Sequence, residues 1–391
     1  EPEVSTSSLM AHCALALSQT LFGIGSVIGK VGLGGTNPLL FALLRGAGAT
    51  AVLLTLNALP LPAAWRGAGE AHRRDVKPGS REINHGSSTT ERRLPLTSHE
   101  AFLFLACGTC LVFSQAGFLV GVKLSSGVLG SAWQPSQALM TYALALVLRW
   151  ERFSWLGLSG ILLGTAGAIF MVTWRQQVLD KGGQLLLANS LFFINCLATS
   201  GYVLFAKVAL RRYDSLTVTA FANAAASLLV AAVAFPLSKS CSALHFVCPQ
   251  SITEMQWRCG DYVVSCSPWG LPQHALGPLA YMVFGQSVAC YFLMTWATGQ
   301  TRASNILVYS ALNPAAAAAL TALLVNSNHF VYLQQMPITN SLGTLAILGG
   351  LALVLIDDHS QALMPALPTP APLGSSRAKK KLSDPEITLP F

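Results

Sequence analysis

The chain of 391 residues is 52% hydrophobic and only 10% charged, and it carries a formal net charge of +8. Because soluble domains usually contain about 25% charged residues, this composition excludes an ordinary soluble fold. The positive charge indicates either a nucleic-acid partner or the orientation of a membrane protein, and the positions of the charges decide between the two.

Apolar runs of about 20 residues recur along the chain, and each is long enough to cross a bilayer core of about 30 Å as a helix. A soluble core could bury one such run but not ten. The sequence therefore predicts an all-α polytopic membrane protein with ten transmembrane helices, at residues 9–29, 37–59, 101–122, 127–148, 153–174, 184–206, 215–237, 275–297, 304–325 and 338–357.

The lysines and arginines follow the positive-inside pattern. If the N-terminus is cytoplasmic, seventeen of them lie in cytoplasmic segments, six lie on the opposite side, and Arg45 lies inside a helix. We therefore expect both termini in the cytosol and no nucleic-acid partner. No cleaved signal peptide is predicted. The choice between the plasma membrane and an endomembrane stays open.

Arg45 is the strong base that lies well inside a predicted span. It is eight residues into the second span, or about 12 Å deep, and an arginine at the membrane centre costs at least about 2.5 kcal/mol. We expect its side chain to face a cavity or a partner helix. It would either orient an anionic or zwitterionic group of a solute or donate hydrogen bonds to backbone carbonyls.

Two polar segments are predicted to be disordered in the cytoplasm. Residues 60–98 form a loop of mixed charges with glycine, serine and proline, and residues 358–391 form a tail that is rich in proline and then basic. Neither segment is expected to add a folded domain.

The exoplasmic loop 238–274 contains an even number of cysteines, and an even number on the oxidising side of a membrane predicts two disulfides with three possible pairings. A zinc site that includes His245 or His274 is one alternative, although the spacing does not match a zinc motif, and free thiols are the other. The disulfide candidates are Cys241, Cys248, Cys259 and Cys266.

Proline interrupts the fourth span at Pro135, and a shift of 179 residues aligns it with Pro314 of the ninth span. The same shift aligns Gln134 with Asn313, and a shift of 177 aligns Lys30 with Lys207. These matches indicate two repeats of five spans each, at 9–174 with its cytoplasmic loop 60–98, and at 184–357 with its cysteine-containing loop 238–274. Because five is odd, the second repeat enters the membrane from the opposite side. Inverted repeats are typical of alternating-access transporters, whose interrupted helices surround a site near the midplane.

The chain resembles the drug/metabolite transporter superfamily, specifically its EamA-type branch. In the first half, the resemblance comes from Pro38 and Arg45 in the second span, and from Pro135, Glu151 and the glycine-rich fifth span "GLSGILLGTAG". The segment "LFAKVALRRY" is similar to the sixth helix of the walls-are-thin transporters, whereas the long cysteine-containing loop resembles that of the chloroquine resistance transporters.

This resemblance implies ten helices, of which the first to fourth and the sixth to ninth line a central cavity while the fifth and tenth lie at the periphery. Members of the superfamily move small organic solutes, and the resemblance does not imply which solute. We expect a small organic solute and the lipid bilayer as partners, with a homodimer left open, and we expect no cofactor and no metal.

Polar and aromatic side chains in the predicted lining helices are the candidate substrate contacts, because amides in hydrocarbon must face the protein interior. Any one of them could equally tie two helices together. The candidates are Arg45, Gln115, Trp133, Gln134, Gln137, Asn195, Tyr202, Tyr291, Tyr309 and Asn313.

We expect no carboxylate or histidine inside a span, and this favours facilitated diffusion or exchange over proton coupling. No phosphate-binding loop or convergent catalytic set is present, so we expect a protein that is not an enzyme. The alternative to a transporter is a polytopic membrane receptor or scaffold that moves no solute.

Overall fold

The structure is a computed structural model, and it describes residues 6–59, 98–150, 153–173, 183–248, 256–301 and 303–326, together with 345–346, 349–350, 352–354, 356–357 and 360. The predicted disordered loop and tail, Glu151 and much of the predicted tenth span lie outside the described residues.

The described chain is almost entirely helical, as its long apolar runs require. The α-helices are α1 (Thr6–Gly32), α2 (Pro38–Ala58), α3 (Ser98–Leu124), α4 (Gly127–Trp133), α5 (Ser136–Val147), α6 (Trp155–Thr173), α7 (Gly183–Ala209), α8 (Ser215–Lys239), α9 (Cys241–Val247), α10 (Leu276–Tyr281), α11 (Tyr291–Thr298), α12 (Ala303–Val308) and α13 (Leu312–Asn326). The strands β1 (Trp257–Cys259) and β2 (Tyr262–Val264) pair as an antiparallel hairpin.

Seven helical segments of the described chain are long and apolar enough to span a membrane, so the protein is an all-α polytopic membrane protein. The predicted fourth span is divided into α4 and α5, and the predicted fifth contributes a shorter apolar helix, Trp155–Gly167. With the tenth described only in part, these differences account for seven spans where the sequence predicts ten. The seven spans are Leu9–Gly32, Pro38–Ala58, Glu100–Leu124, Leu186–Ala209, Ser215–Lys239, Gln273–Thr298 and Ile306–Leu324.

The division of the fourth span occurs at Gln134 and Pro135. Proline has no amide hydrogen. The backbone here makes hydrogen bonds between residues three apart, as in a 3₁₀-helix: the Gln134 amide donates to the Ser131 carbonyl, and the Gln137 amide donates to the Gln134 carbonyl. A similar interruption precedes Pro314, because a 3₁₀ turn at Tyr309–Ala311 separates α12 from α13. A π-helical segment, Met282–Cys290, joins α10 to α11.

Two apolar clusters fill the bundle at different depths. Cluster I includes Leu15 of α1, Leu111 of α3, Val203 of α7, Val218 of α8 and Ala297 of α11. Cluster II includes Leu33 after α1, Leu119 of α3, Phe192 of α7, Val230 of α8 and Met282 of the π-helical segment. On each of these chain segments the two clusters are separated by several residues, and a polar layer lies between them.

Lysines join helix ends in both halves of the chain. The Lys30 ammonium group donates hydrogen bonds to the carbonyls of Val122 and Ser125 at 3.0 and 2.9 Å, and Lys123 donates to the Leu33 carbonyl at 2.9 Å. In the second half, Lys207 donates to the Thr301 carbonyl at 2.7 Å. These bonds are made to carbonyls near helix ends, where a helix leaves carbonyls without intrahelical partners.

The four loop cysteines form two disulfides, Cys241–Cys259 and Cys248–Cys266, which confirms the disulfide prediction and selects one of its three pairings. The resulting unit of α9 and the hairpin packs on the turn between α1 and α2. Asn37 donates to the Ser238 hydroxyl and the Pro268 carbonyl, and the Ser267 amide donates to the Gly35 carbonyl. The disulfides therefore hold a cap over one end of the bundle.

Removing the Cys248–Cys266 bond should destabilise the protein more than removing Cys241–Cys259, because both of its cysteines are fully buried in cluster II. Closing a loop of this length is worth about 3 kcal/mol. The paired Cys→Ser variants can be compared by thermal denaturation in detergent, with Cys13→Ser as the free-cysteine control. Equal midpoints for wild type and the Cys248→Ser, Cys266→Ser variant would contradict this assignment.

Candidate functional site

A polar cavity lies between the two apolar clusters. Its empty volume is about 510 Å³, a figure that includes the open space at its mouth. Its lining comes from α1, α2, α3, the interrupted fourth span, α7, the π-helical segment, α11 and α13, and therefore from both halves of the chain. The lining residues are Gln19, Phe22, Ser26, Arg45, Ser114, Gln115, Phe118, Ser131, Gln134, Gln137, Asn195, Thr199, Gln286, Tyr291, Met294 and Asn313.

Arg45 is the positive charge of this lining, and its side chain is buried. Its Nε donates a hydrogen bond of 2.6 Å to the Ser287 hydroxyl, and the guanidinium also interacts with the Tyr291 side chain. The acidic residues that the structure describes all lie outside the lining; they are Glu100, Asp214, Asp261 and Asp357. The cavity therefore has a net positive charge that a solute could neutralise.

One wall of the cavity is a chain of amides. Gln134 Nε2 donates to Asn195 Oδ1 at 3.1 Å, and Asn195 Nδ2 donates to the Ser114 carbonyl at 2.8 Å. Gln137 donates to Gln134 Oε1, and the hydroxyls of Ser114 and Thr199 are 2.8 Å apart. The interrupted fourth span is thus joined to α7, which belongs to the other half of the sequence.

A second amide pair joins the halves on the other side. Asn313 Nδ2 donates to Gln19 Oε1 at 3.3 Å, connecting α13 to α1. The two interruptions are also in direct contact, because the Ser310 hydroxyl donates to the Gln134 carbonyl at 2.8 Å. Pro135 and Pro314 are not lining residues; they lie beside the interruptions that bring Gln134 and Asn313 to the cavity.

Seven of the ten predicted contact residues line this cavity, and the other three have partners elsewhere. Trp133 Nε1 donates to Asn189 Oδ1 at 3.0 Å. The hydroxyls of Tyr202 and Thr295 are 2.8 Å apart, and the Tyr309 hydroxyl lies 2.8 Å from His12 Nδ1. These three side chains join helices, which was the alternative that the sequence left open. The seven are Arg45, Gln115, Gln134, Gln137, Asn195, Tyr291 and Asn313.

Sequence reasoning missed the apolar part of the lining, Phe22, Phe118 and Met294, because apolar residues in a span do not differ visibly from lipid-facing ones. It also overlooked His12. This histidine lies in α1 within the span Leu9–Gly32, so the expectation of no histidine inside a span is wrong. His12 does not line the cavity. Within the described residues, no group of three histidine, cysteine or acidic side chains could hold a metal ion.

Two glycines of α1 set how closely other segments approach the cavity. A Cβ on Gly25 would lie 2.4 Å from Gln286 Nε2, and a Cβ on Gly23 would lie 2.5 Å from the Asn313 carbonyl oxygen. Small residues of this kind allow membrane helices to pack in close contact. They place Gln286 and Asn313 against α1.

No family model matches the chain. A protein of known crystal structure has a similar fold, with a TM-score of 0.55 and 16% sequence identity over 91% of this chain and 99% of that chain. At this identity the likeness concerns the fold alone.

Gly23→Ala should destabilise the protein, because the added methyl group would lie 2.5 Å from the backbone carbonyl oxygen of Asn313, which cannot move aside as a side chain can. We expect a lower thermal midpoint by the equivalent of about 1–3 kcal/mol, a typical cost of overpacking. Gly277→Ala is the matched control, since its Cβ would meet nothing within 4 Å. Equal stability of the two variants would contradict the close contact between α1 and the Asn313 backbone.

Proposed function

We propose that the protein carries a small organic metabolite across a membrane by alternating access, as a facilitative or exchange carrier. The observation that carries this proposal is a polar cavity at mid-depth, between two apolar clusters, to which both halves of the chain contribute. A scaffold has no need for a polar cavity at that depth, where every polar group is costly.

The direction of the helices supports an inverted repeat. Along α1, α3 and α8 the chain passes from cluster I to cluster II, whereas along α7 and from the π-helical segment into α11 it passes from cluster II to cluster I. The sequence repeat pairs α1 with α7 and α3 with the π-helical segment and α11. Each of these pairs therefore has opposite directions, as an inverted repeat requires.

Equivalent hydrogen bonds in the two halves support the same proposal. Lys30 donates to Val122 and Lys207 donates to Thr301, and these acceptors are related by the shift of 179 residues. Within the interrupted spans, the Ser131 hydroxyl oxygen lies 2.7 Å from the Val128 carbonyl oxygen, and the aligned Ser310 hydroxyl oxygen lies 2.5 Å from the aligned Leu307 carbonyl oxygen.

The side-chain amide hydrogen bonds that join the two halves also correspond to each other. Gln134 of the first half bonds to Asn195 of the second, and Asn313 of the second half bonds to Gln19 of the first. In a carrier whose halves rock against each other, we propose that these bonds weaken on one side of the solute while they are kept on the other. Side-chain bonds between membrane helices are worth about 0.6 kcal/mol on average, so such an exchange is energetically accessible.

The remaining features of the proposal are ten helices, both termini in the cytosol, and membership of the drug/metabolite transporter superfamily in its EamA-type branch. Uncoupled transport or exchange is favoured because neither His12 nor any described acidic residue lines the cavity. Proton relays of pumps and transporters commonly use such groups along the solute path.

Reconstituted protein should therefore show saturable uptake of labelled solute, and unlabelled solute inside the vesicles should accelerate this uptake. Such counterflow requires a carrier whose binding site returns to the outer face with solute bound. A panel of amino acids, nucleosides and auxin-like acids can be screened with empty vesicles as the baseline. Ser131→Leu would fill part of the cavity and should abolish flux, while Thr141→Leu, which introduces the same side chain at a buried position outside the lining, serves as the control. Flux at the empty-vesicle rate for every solute class would favour the receptor or scaffold alternative.

A further inference from the structure

Large apolar side chains stay exposed in the last turns of α8, close to the cap. Phe235 is 52% exposed and Val233 is 46% exposed, whereas Ala234 and Ser238 are buried. Because α8 is the membrane span Ser215–Lys239, the exposed face of these turns is a lipid-facing surface. Phe235 lies four residues before the end of the span, or about 6 Å from it. It therefore marks the depth at which the hydrocarbon core meets the headgroups.

Trp269 lies at the same depth as Phe235. The two rings pack together with their centroids 5.4 Å apart, and the Trp269 side chain is 45% exposed. Trp269 belongs to the loop that follows the hairpin, so the lipid-facing surface of α8 continues onto this loop. Tryptophan is enriched at the membrane–water boundary because its ring is apolar while its indole N–H needs a polar partner.

Contacts with the bundle hold Trp269 at this boundary. The two residues before it are bonded to the turn between α1 and α2. The Ser267 amide donates to the Gly35 carbonyl at 3.4 Å, and the Pro268 carbonyl accepts a hydrogen bond of 3.2 Å from Asn37 Nδ2. The buried disulfide that directly precedes them ties the loop to the end of α9. The position of Trp269 is therefore fixed by the fold.

The cap itself exposes three more aromatic side chains. Phe246 of α9 is 60% exposed, and Trp257 and Tyr262 of the hairpin are 43% and 41% exposed. The register of the two strands places Trp257 and Tyr262 on one face of the hairpin. Several exposed aromatic side chains on one small unit mark an interaction surface.

We propose that the cap and Trp269 form a membrane-binding surface whose partner is the headgroup layer of the adjacent leaflet, and that the lipids in contact with it are zwitterionic phospholipids. Trp269 and Phe235 lie where the hydrocarbon begins, and the exposed aromatic side chains of the cap lie among the headgroups. The cap thus rests on the bilayer instead of extending into water. This inference does not depend on the carrier function.

The charges of this region favour zwitterionic over anionic lipids. Among the described residues of 238–248 and 256–274, the ionised side chains are Lys239, Arg258 and Asp261, which are two positive charges and one negative. Surfaces that recruit anionic lipids carry clusters of about four to eight basic residues. Lys239 ends α8, where an ammonium group reaches lipid phosphates while its stem lies along apolar surface. The attraction therefore comes from the aromatic rings.

Brominated lipids test this surface, because bromine quenches the fluorescence of tryptophan rings that it contacts. The protein is reconstituted in phosphatidylcholine that carries bromine either near the headgroup or near the chain end. The quenched emission is then compared between wild type and Trp269→Phe, a variant that keeps an aromatic ring against Phe235. We expect the variant to lose emission that bromine near the headgroup quenches more strongly than bromine near the chain end. Trp257→Phe should show the same loss for the cap.

Two other tryptophans serve as controls. Trp133 donates its indole N–H to Asn189 between helices, so Trp133→Phe should lose emission that neither bromine position quenches. Trp155 is 77% exposed at the start of α6, and Trp155→Phe should lose emission that brominated lipid does quench.

The remaining outcomes each contradict the proposal. If aqueous iodide quenches the Trp269 and Trp257 emission and brominated lipid does not, the surface lies in water. If neither quencher acts, protein covers the surface, either a second copy of the chain or another partner. Replacing part of the phosphatidylcholine by phosphatidylserine should leave the quenching by bromine unchanged, and quenching that requires the anionic lipid would refute the zwitterionic assignment.

Discussion

Lipid offers no hydrogen-bond partner, so every polar group inside a span must find one within the protein. This constraint organises the centre of the bundle. Gln134, Asn195, Gln19 and Asn313 satisfy part of their hydrogen-bonding capacity on one another, across the two halves of the chain. Among the described residues, Asn313 Oδ1 is left without a partner, and Asn313 lines the cavity.

The interrupted helices follow from the same constraint. A backbone break inside lipid is tolerable only where protein or a polar cavity surrounds it, and the breaks at Pro135 and at Tyr309–Ala311 touch each other through Ser310 and the Gln134 carbonyl. Each break turns an amide toward the cavity.

Much of this arrangement can be predicted from the sequence, because hydropathy and helix-breaking residues are local signals. The predicted span 37–59 corresponds to the helix Pro38–Ala58. Gln134 and Asn313, which precede the two aligned prolines, both line the cavity. Partners distant in sequence could not be predicted: Trp133 bonds to Asn189 and Tyr202 to Thr295, so these residues join helices where substrate contact had been expected. The disulfide pairing is another such case, since cysteine number and spacing allow three pairings and only the packing of the hairpin selects one.

The central claim is that one cavity opens in turn to each side of the membrane. A single cysteine introduced as Ser131→Cys lies in the cavity lining and changes the side-chain volume little. In oriented vesicles of a variant without the native free cysteines, an impermeant thiol reagent should modify this position from either side, and a bound solute should slow both reactions. Modification from one side only, whatever the solute gradient, would contradict alternating access.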